Sequence, residues 1–202
     1  MKKALLLIVI TSFFSGCAVP VKRSLQGHTL VSEGFPKISL NIPTEYELVD
    51  SYSGKRNSDT SKSSSERESW YYFYKRNSKR LVETTLDIRF YDGDSSVHYS
   101  DDTNDARKFN FSYSVINGIR YTTYFMASKM SDHEAKFSVA QCRVDKFFVS
   151  TFPPQTNHMF VISYTAIVPC NKVENNRVVD KGLINEIDKS AYKLLLSLSK
   201  GF

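Results

Sequence analysis

Hydrophobic and polar side chains alternate along most of the chain, and that period of two predicts strands. Lys37–Ile42 reads as the first strand, closed by Pro43. Glu66–Lys75 and Arg80–Tyr91 read as a long hairpin joined through Arg76, Asn77, Ser78 and Lys79. In its second strand Val82, Thr84, Leu86, Ile88 and Phe90 share one face. Arg107–Ile116 and Ile119–Lys129 flank Asn117-Gly118, a two-residue hairpin signal. Residues 136–152 and 158–168 form a further hairpin across Pro153-Pro154-Gln155-Thr156-Asn157. The period then changes, because Leu183, Ile184, Ile187, Ala191, Leu194, Leu195 and Leu198 recur at three- and four-residue steps. This is an amphipathic helix, with Asp180 capping its start and Lys200 and Gly201 suiting its end. Its apolar stripe is too wide for water. The predicted fold is therefore α+β, a two-layer sandwich in which an antiparallel sheet of about six to eight strands packs against the C-terminal helix.

Three segments lack periodicity. Residues 18–34 read as a tether, the Ser-rich residues 51–65 as a loop, and Asp92–Asp105 as a polar, turn-rich connection. Ahead of them Lys2 and Lys3 precede an apolar run from Ala4 to Phe14, an export signal. At about 1.5 Å per residue that run reaches only about half of a ~30 Å hydrocarbon core, which favours a processed leader over a spanning helix. Ser15-Gly16-Cys17 resembles the lipobox of bacterial lipoproteins. The resemblance implies that residues 1–16 are removed and that Cys17 becomes the lipidated first residue. Ala18 after it favours sorting to the outer membrane, facing the periplasm. The expected organisation is a leader at 1–16, a lipidated tether at 17–34 and a single α+β domain at 35–202.

Assigning Cys17 to lipid leaves Cys142 and Cys170 as an even pair in an oxidising compartment. Across the predicted hairpin Cys142 falls opposite residues 168–170, and alternation turns both thiols to the core side. A disulfide is the expectation, with a redox pair or half a metal site as the alternatives.

The order of elements resembles the PsbP-like fold, in particular the DcrB-type envelope lipoproteins. The likeness lies in the opening strand Ile38-Ser39-Leu40-Asn41-Ile42-Pro43 with Tyr46 after it, the central hairpin, and the Asp92-Gly93-Asp94 turn. It continues through the Gly118 turn, three long strands ending at Pro169, and the closing helix. This resemblance implies a non-enzymatic binding, chaperone or assembly role and supplies no catalytic residues.

Composition narrows the chemistry. The chain has 202 residues, is 41% hydrophobic and 13% aromatic, and carries a net charge of +6. That is ordinary globular composition for one domain. His28, His98, His133 and His158 are scattered without metal-ligand spacing, no nucleotide or hydrolase motif is present, and the Asp92–Asp105 stretch fits neither calcium-loop frame. No catalytic residue, metal or cofactor is predicted.

Two clusters are candidate contacts. Trp70-Tyr71-Tyr72-Phe73-Tyr74 is the densest aromatic run, and register decides its meaning. If Phe73 pairs near Val82, Trp70, Tyr72 and Tyr74 line the face beside Glu83, Asp87 and Arg89 and offer a partner-binding stripe. A one-residue slip buries them instead, and burial is the commoner fate of such a run. Lys75, Arg76, Lys79 and Arg80 form a basic hairpin tip that reads first as a solvated turn and second as a patch for an anionic envelope component. An exported protein does not ordinarily meet nucleic acid. Three functions follow as expectations: a lipid-anchored envelope binding or assembly module, a periplasmic inhibitor or immunity protein against an envelope-targeting hydrolase, and an envelope enzyme without a visible motif.

Overall fold

The computed structural model describes residues 22–55, 66–100 and 104–198; Cys17, Lys200 and Gly201 lie outside them. The chain runs β1 (Arg23–Gln26), β2 (Thr29–Ser32), β3 (Ile38–Asn41), β4 (Glu47–Lys55), β5 (Arg67–Arg76), β6 (Val82–Asp92), β7 (Phe109–Ile116) and β8 (Ile119–Lys129). It continues through α1 (Asp132–Ala135), β9 (Cys142–Ser150), β10 (His158–Val168), β11 (Val173–Glu174), β12 (Arg177–Val178) and α2 (Lys181–Leu198). Seven strands form one antiparallel sheet in the order β4-β5-β6-β10-β9-β8-β7, while β1-β2-β3 make a second sheet and β11-β12 a short ribbon. The fold is the α+β arrangement that the periodicities predict.

One face of the large sheet carries the core. Tyr71 and Phe73 of β5, Leu86, Ile88 and Phe90 of β6, Phe160 and Ile162 of β10, Val144 and Phe148 of β9 and Tyr121 and Phe125 of β8 are all buried there. Over them lie Ile187, Ala191, Leu195 and Leu198 of α2 together with Leu30, Ile38 and Leu40 of the small sheet. Each valine, leucine, isoleucine or phenylalanine among them contributes roughly 1.5–3 kcal/mol when taken out of water. The Leu183 N–H donates to Asp180 Oδ1 at 3.2 Å, so Asp180 caps the helix as its position predicts. Asn117 and Gly118 take φ of 50° and 76°, the left-handed pair that a two-residue hairpin turn needs and that glycine adopts without strain.

Several boundaries differ from the sequence reading, each for a physical reason. Residues 23–32, read as tether, form β1 and β2, because Leu25 and Leu30 reach the core and Arg23 anchors them. The Arg23 guanidinium donates to both Asp92 oxygens at 2.6 and 3.0 Å and to the Phe35 carbonyl at 3.0 Å, and it lies 4.2 Å over the Phe90 ring. Residues 51–55 belong to β4, paired with Arg67–Tyr71 of β5; residues 56–65 lie outside the described residues. Residues 136–141 are not strand. Ser131 and Glu134 close a capping box that starts α1, and the turn after it crosses the sheet end. Cys170 sits not on β10 but in the 3-10 turn that follows Pro169.

The disulfide joins Cys142 to Cys170 with their Cα atoms 5.0 Å apart. β9 and β10 pair Cys142 with Val168, two residues short of its partner, so the bond closes the hairpin where the ladder ends. Closing a loop of sequence separation 28 stabilises the fold by roughly 3–4 kcal/mol on the chain-entropy model. Urea unfolding of Cys142→Ser/Cys170→Ser should show a loss of that size, with the unreduced and reduced wild type bracketing it. Arg23→Ala should cost about 3 kcal/mol in the same assay, since Asp92 is left buried without its guanidinium. A loss under 1 kcal/mol would return residues 23–34 to the role of a tether.

Candidate functional site

Alternation that sends Tyr71 and Phe73 into the core sends Trp70, Tyr72 and Tyr74 to the opposite face. Phe73 pairs with Leu86 rather than near Val82, an offset of four residues. The offset is even, so the faces stay as that register assigned them. A one-residue bulge between Lys75 and Arg76 turns Val82, rather than Glu83, toward the aromatic face. The three rings are half-buried, neither stripped bare nor sealed.

Among the described residues no long helix lies across this second face, and the short α1 sits at one end of it. Two connections wall its ends instead. At one end the Phe137 carbonyl and the Val139 N–H bond to Val82, which holds the turn after α1 across the start of β6. At the other end Tyr99 reaches Glu66 at 2.8 Å through its hydroxyl and Thr156 at 2.7 Å through its backbone N–H, with its ring 6.1 Å from Tyr91. Between these walls runs a trough of three adjoining clefts of about 290, 360 and 430 Å3. It follows β10 from Ile167 to Met159, about 27 Å at ~3.4 Å per residue.

One wall is the β5 stripe of Trp70, Tyr72 and Tyr74; the other is Phe147 of β9, stacked on Tyr124 of β8 at 5.0 Å. Tyr52 of β4 extends the first wall, stacked 6.2 Å from Trp70, and Phe111 of β7 extends the second, 5.6 Å from Tyr124. The floor of the middle cleft is polar: Asp87, Arg89, Arg143, Asp145, Ser163 and Thr165. Arg89 donates to Asp87 Oδ2 at 2.6 and 2.7 Å and lies 3.7 Å from Glu68. Arg143 lies 3.4 Å from Asp145 and 3.8 Å from Glu134, and the Thr165 hydroxyl donates to Asp145 at 2.6 Å.

Burial raises the carboxyl of Asp87 above its ordinary value against the hydrogen bond and charge of Arg89. Burial likewise raises Asp145, against the Arg143 charge and the Thr165 hydroxyl, with Asp87 and Glu134 adding to the rise. Glu134 moves the other way, held down by hydrogen bonds from Ser131.

The basic hairpin tip is not a free cationic patch. Lys75 lies 4.0 Å from Glu45 and Arg76 3.8 Å from Glu47, while Arg76 also donates to the Arg80 carbonyl and lies 5.1 Å over the Tyr74 ring. Arg76 thus joins the trough, and Lys79 and Arg80 remain exposed at the turn. Of the acidic stretch, Asp92 is committed to Arg23 and His158, Asp94 accepts from the Ser96 N–H, and Asp105 pairs with Arg107. Among the described residues no three His, Cys, Asp or Glu side chains converge on a metal position, and no helix is long and apolar enough to cross a membrane.

The floor went unread in the sequence although it left a trace. Asp87-Ile-Arg89 and Arg143-Val-Asp145 are mirror-image pairs placed between core positions of two strands. Only β10, lying between β6 and β9, brings them together.

A carboxyl raised by folding destabilises the fold once ionised. Its cost is absent below the unfolded value of about 4 and grows as pH rises through the folded value. Asp145→Asn keeps an acceptor for Thr165 and leaves Arg143 its contact with Glu134, so its melting temperature should exceed that of the wild type at pH 7 and match it near pH 4. Each kcal/mol relieved is worth about 2–4 °C in a chain of this size. A gap that opens toward acid instead would contradict the assignment. Searches of protein-family models, curated proteins and solved structures give no match to this chain.

Proposed function

We propose that this chain is a lipid-anchored module of the cell envelope that binds a partner in the trough on the open face of its sheet. The observation that carries the reading is a seven-stranded sheet covered on one face and, among the described residues, left without a covering layer on the other, where aromatic walls enclose a polar floor. Large apolar side chains left at a surface in one contiguous strip mark interaction sites. The disulfide is consistent with an oxidising compartment, and the leader ending at Cys17 is the basis for the anchor. The PsbP-like, DcrB-type kinship belongs to the same proposal, supported by the order of elements; it carries the non-catalytic role.

A second reading, an envelope enzyme, is favoured by one observation: Asp87 and Asp145 are buried carboxyls with raised pKa in a shared cleft, the setting in which general acids are found. The Arg89 and Arg143 guanidiniums pair with them and fit a structural part better.

Crosslinking in intact cells, purification of the full chain and identification of what it captures test the proposal. Tyr72→Ala should lose the captured partner while the protein level holds, and Cys17→Ser should release the chain from the membrane fraction. A partner retained by Tyr72→Ala would remove the trough from the function. Turnover of envelope material that stops in both Asp87→Asn and Asp145→Asn would establish the enzyme.

A further inference from the structure

We infer that the ligand of the trough is an uncharged, hydroxyl-rich linear polymer, a glycan strand; this rests on the open face being the binding face. The middle cleft is lined by two carboxylates and two guanidiniums. These charges neutralise each other within the floor, Arg89 on Asp87 at 2.6 Å and Arg143 on Asp145 at 3.4 Å. Glu68 and Glu134 beside the same guanidiniums are offset by Arg76 and Lys108 in the adjoining clefts, so a cationic peptide or an anionic head group meets about as much like charge as unlike along the trough and gains no net attraction.

The floor offers directional hydrogen bonds instead. Asp87 is 8% exposed and its Oδ1 has no hydrogen-bond partner. A buried acceptor left unpaired carries an uncompensated desolvation cost, which a ligand donor relieves. The hydroxyls of Ser163 and Thr165 lie in the same floor, and each guanidinium has five N–H donors, more than its contacts with two carboxylates use.

The walls complete the chemistry. Trp70 and Tyr72 face Phe147 across the cleft. A sugar ring has apolar C–H faces that stack on aromatic rings and a rim of hydroxyls that both donate and accept. Aromatic walls with a neutral, hydrogen-bonding floor complement both parts at once. The trough runs about 27 Å along β10, a length that suits several rings of a linear chain rather than one small molecule.

Trp70 is the single tryptophan of the chain, so its emission reports on the trough without a label. The full chain in a detergent that carries no sugar is titrated with N-acetylchitohexaose and with cellohexaose. Hexalysine and phosphatidylglycerol vesicles serve as the charged comparisons. The expected result is a saturable change in Trp70 emission with at least one neutral oligosaccharide and none with either charged probe. Asp87→Asn should weaken that binding about tenfold, equivalent to about 1.4 kcal/mol, while Lys79→Ala/Arg80→Ala at the hairpin tip leaves it unchanged. If circular dichroism shows Asp87→Asn misfolded, Phe147→Leu takes its place and should weaken binding as well. Silence with both oligosaccharides, a charged probe that binds in their stead, or neutral binding indifferent to these trough variants would overturn the inference. Silence here with a cellular partner still lost in Tyr72→Ala rejects the glycan alone; a partner retained by Tyr72→Ala rejects the face.

Discussion

Antiparallel pairing of β6 with β5 on one side and β10 on the other assigns every side chain in the middle of the sheet to one of two faces. Phe73 opposite Leu86 and Ile162 opposite Ile88 set one parity for the three strands, and β9 and β8 extend it through Phe148 and Thr123. A slip of one residue anywhere in this ladder would put Asp87 or Asp145 under the helix and Phe90 or Phe148 into the trough. The hydrophobic core, the aromatic walls and the polar floor are thus consequences of one register. The bulge near Val82 and the disulfide beyond Val168 occur where the ladder ends, so irregularity is kept away from its centre.

Charge is treated differently on the two faces. Under the helix Lys146 is 2% exposed, pairs with Asp188 of α2 at 2.8 Å and lies 4.3 Å from the Phe125 ring. A buried ion pair of this kind contributes little net stability, but a shifted helix would leave Lys146 without a counter-ion, which fixes how α2 lies across β9. On the open face four charged side chains neighbour each other along β6 and β9, two of them carboxyls raised by burial. Polar groups buried at such cost in mid-sheet, where valine or isoleucine would be more stable, are characteristic of sites kept for binding.

Among the described residues the covering elements all lie on one face. α2 and the small sheet are both held to the core face, the first by its apolar stripe and the second by Arg23 gripping Asp92 and lying over Phe90. Among the described residues, the connections after β6 and β8 lie at the ends of the other face, Tyr99 at one end and the turn after α1 at the other.

Periodicity in the sequence determined the two-layer α+β class, the strand pairs joined by short turns and the closing helix, because each depends on side-chain alternation or on residues close along the chain; the Cys142–Cys170 bond was legible from the even cysteine count and from that hairpin, although Cys170 lies beyond the strand. It also determined which members of the Trp70–Tyr74 run share a face, since that survives any even change of register. Only the tertiary structure decided that β10 inserts between β6 and β9, and so joined Asp87 and Arg89 to residues more than fifty positions away. It decided too that residues 23–32 are strands, because Arg23 finds its counter-charge at Asp92, a pairing 69 residues apart that no local pattern encodes. Alternation tells a side chain which face it takes; what waits on that face is set by which distant strands become neighbours.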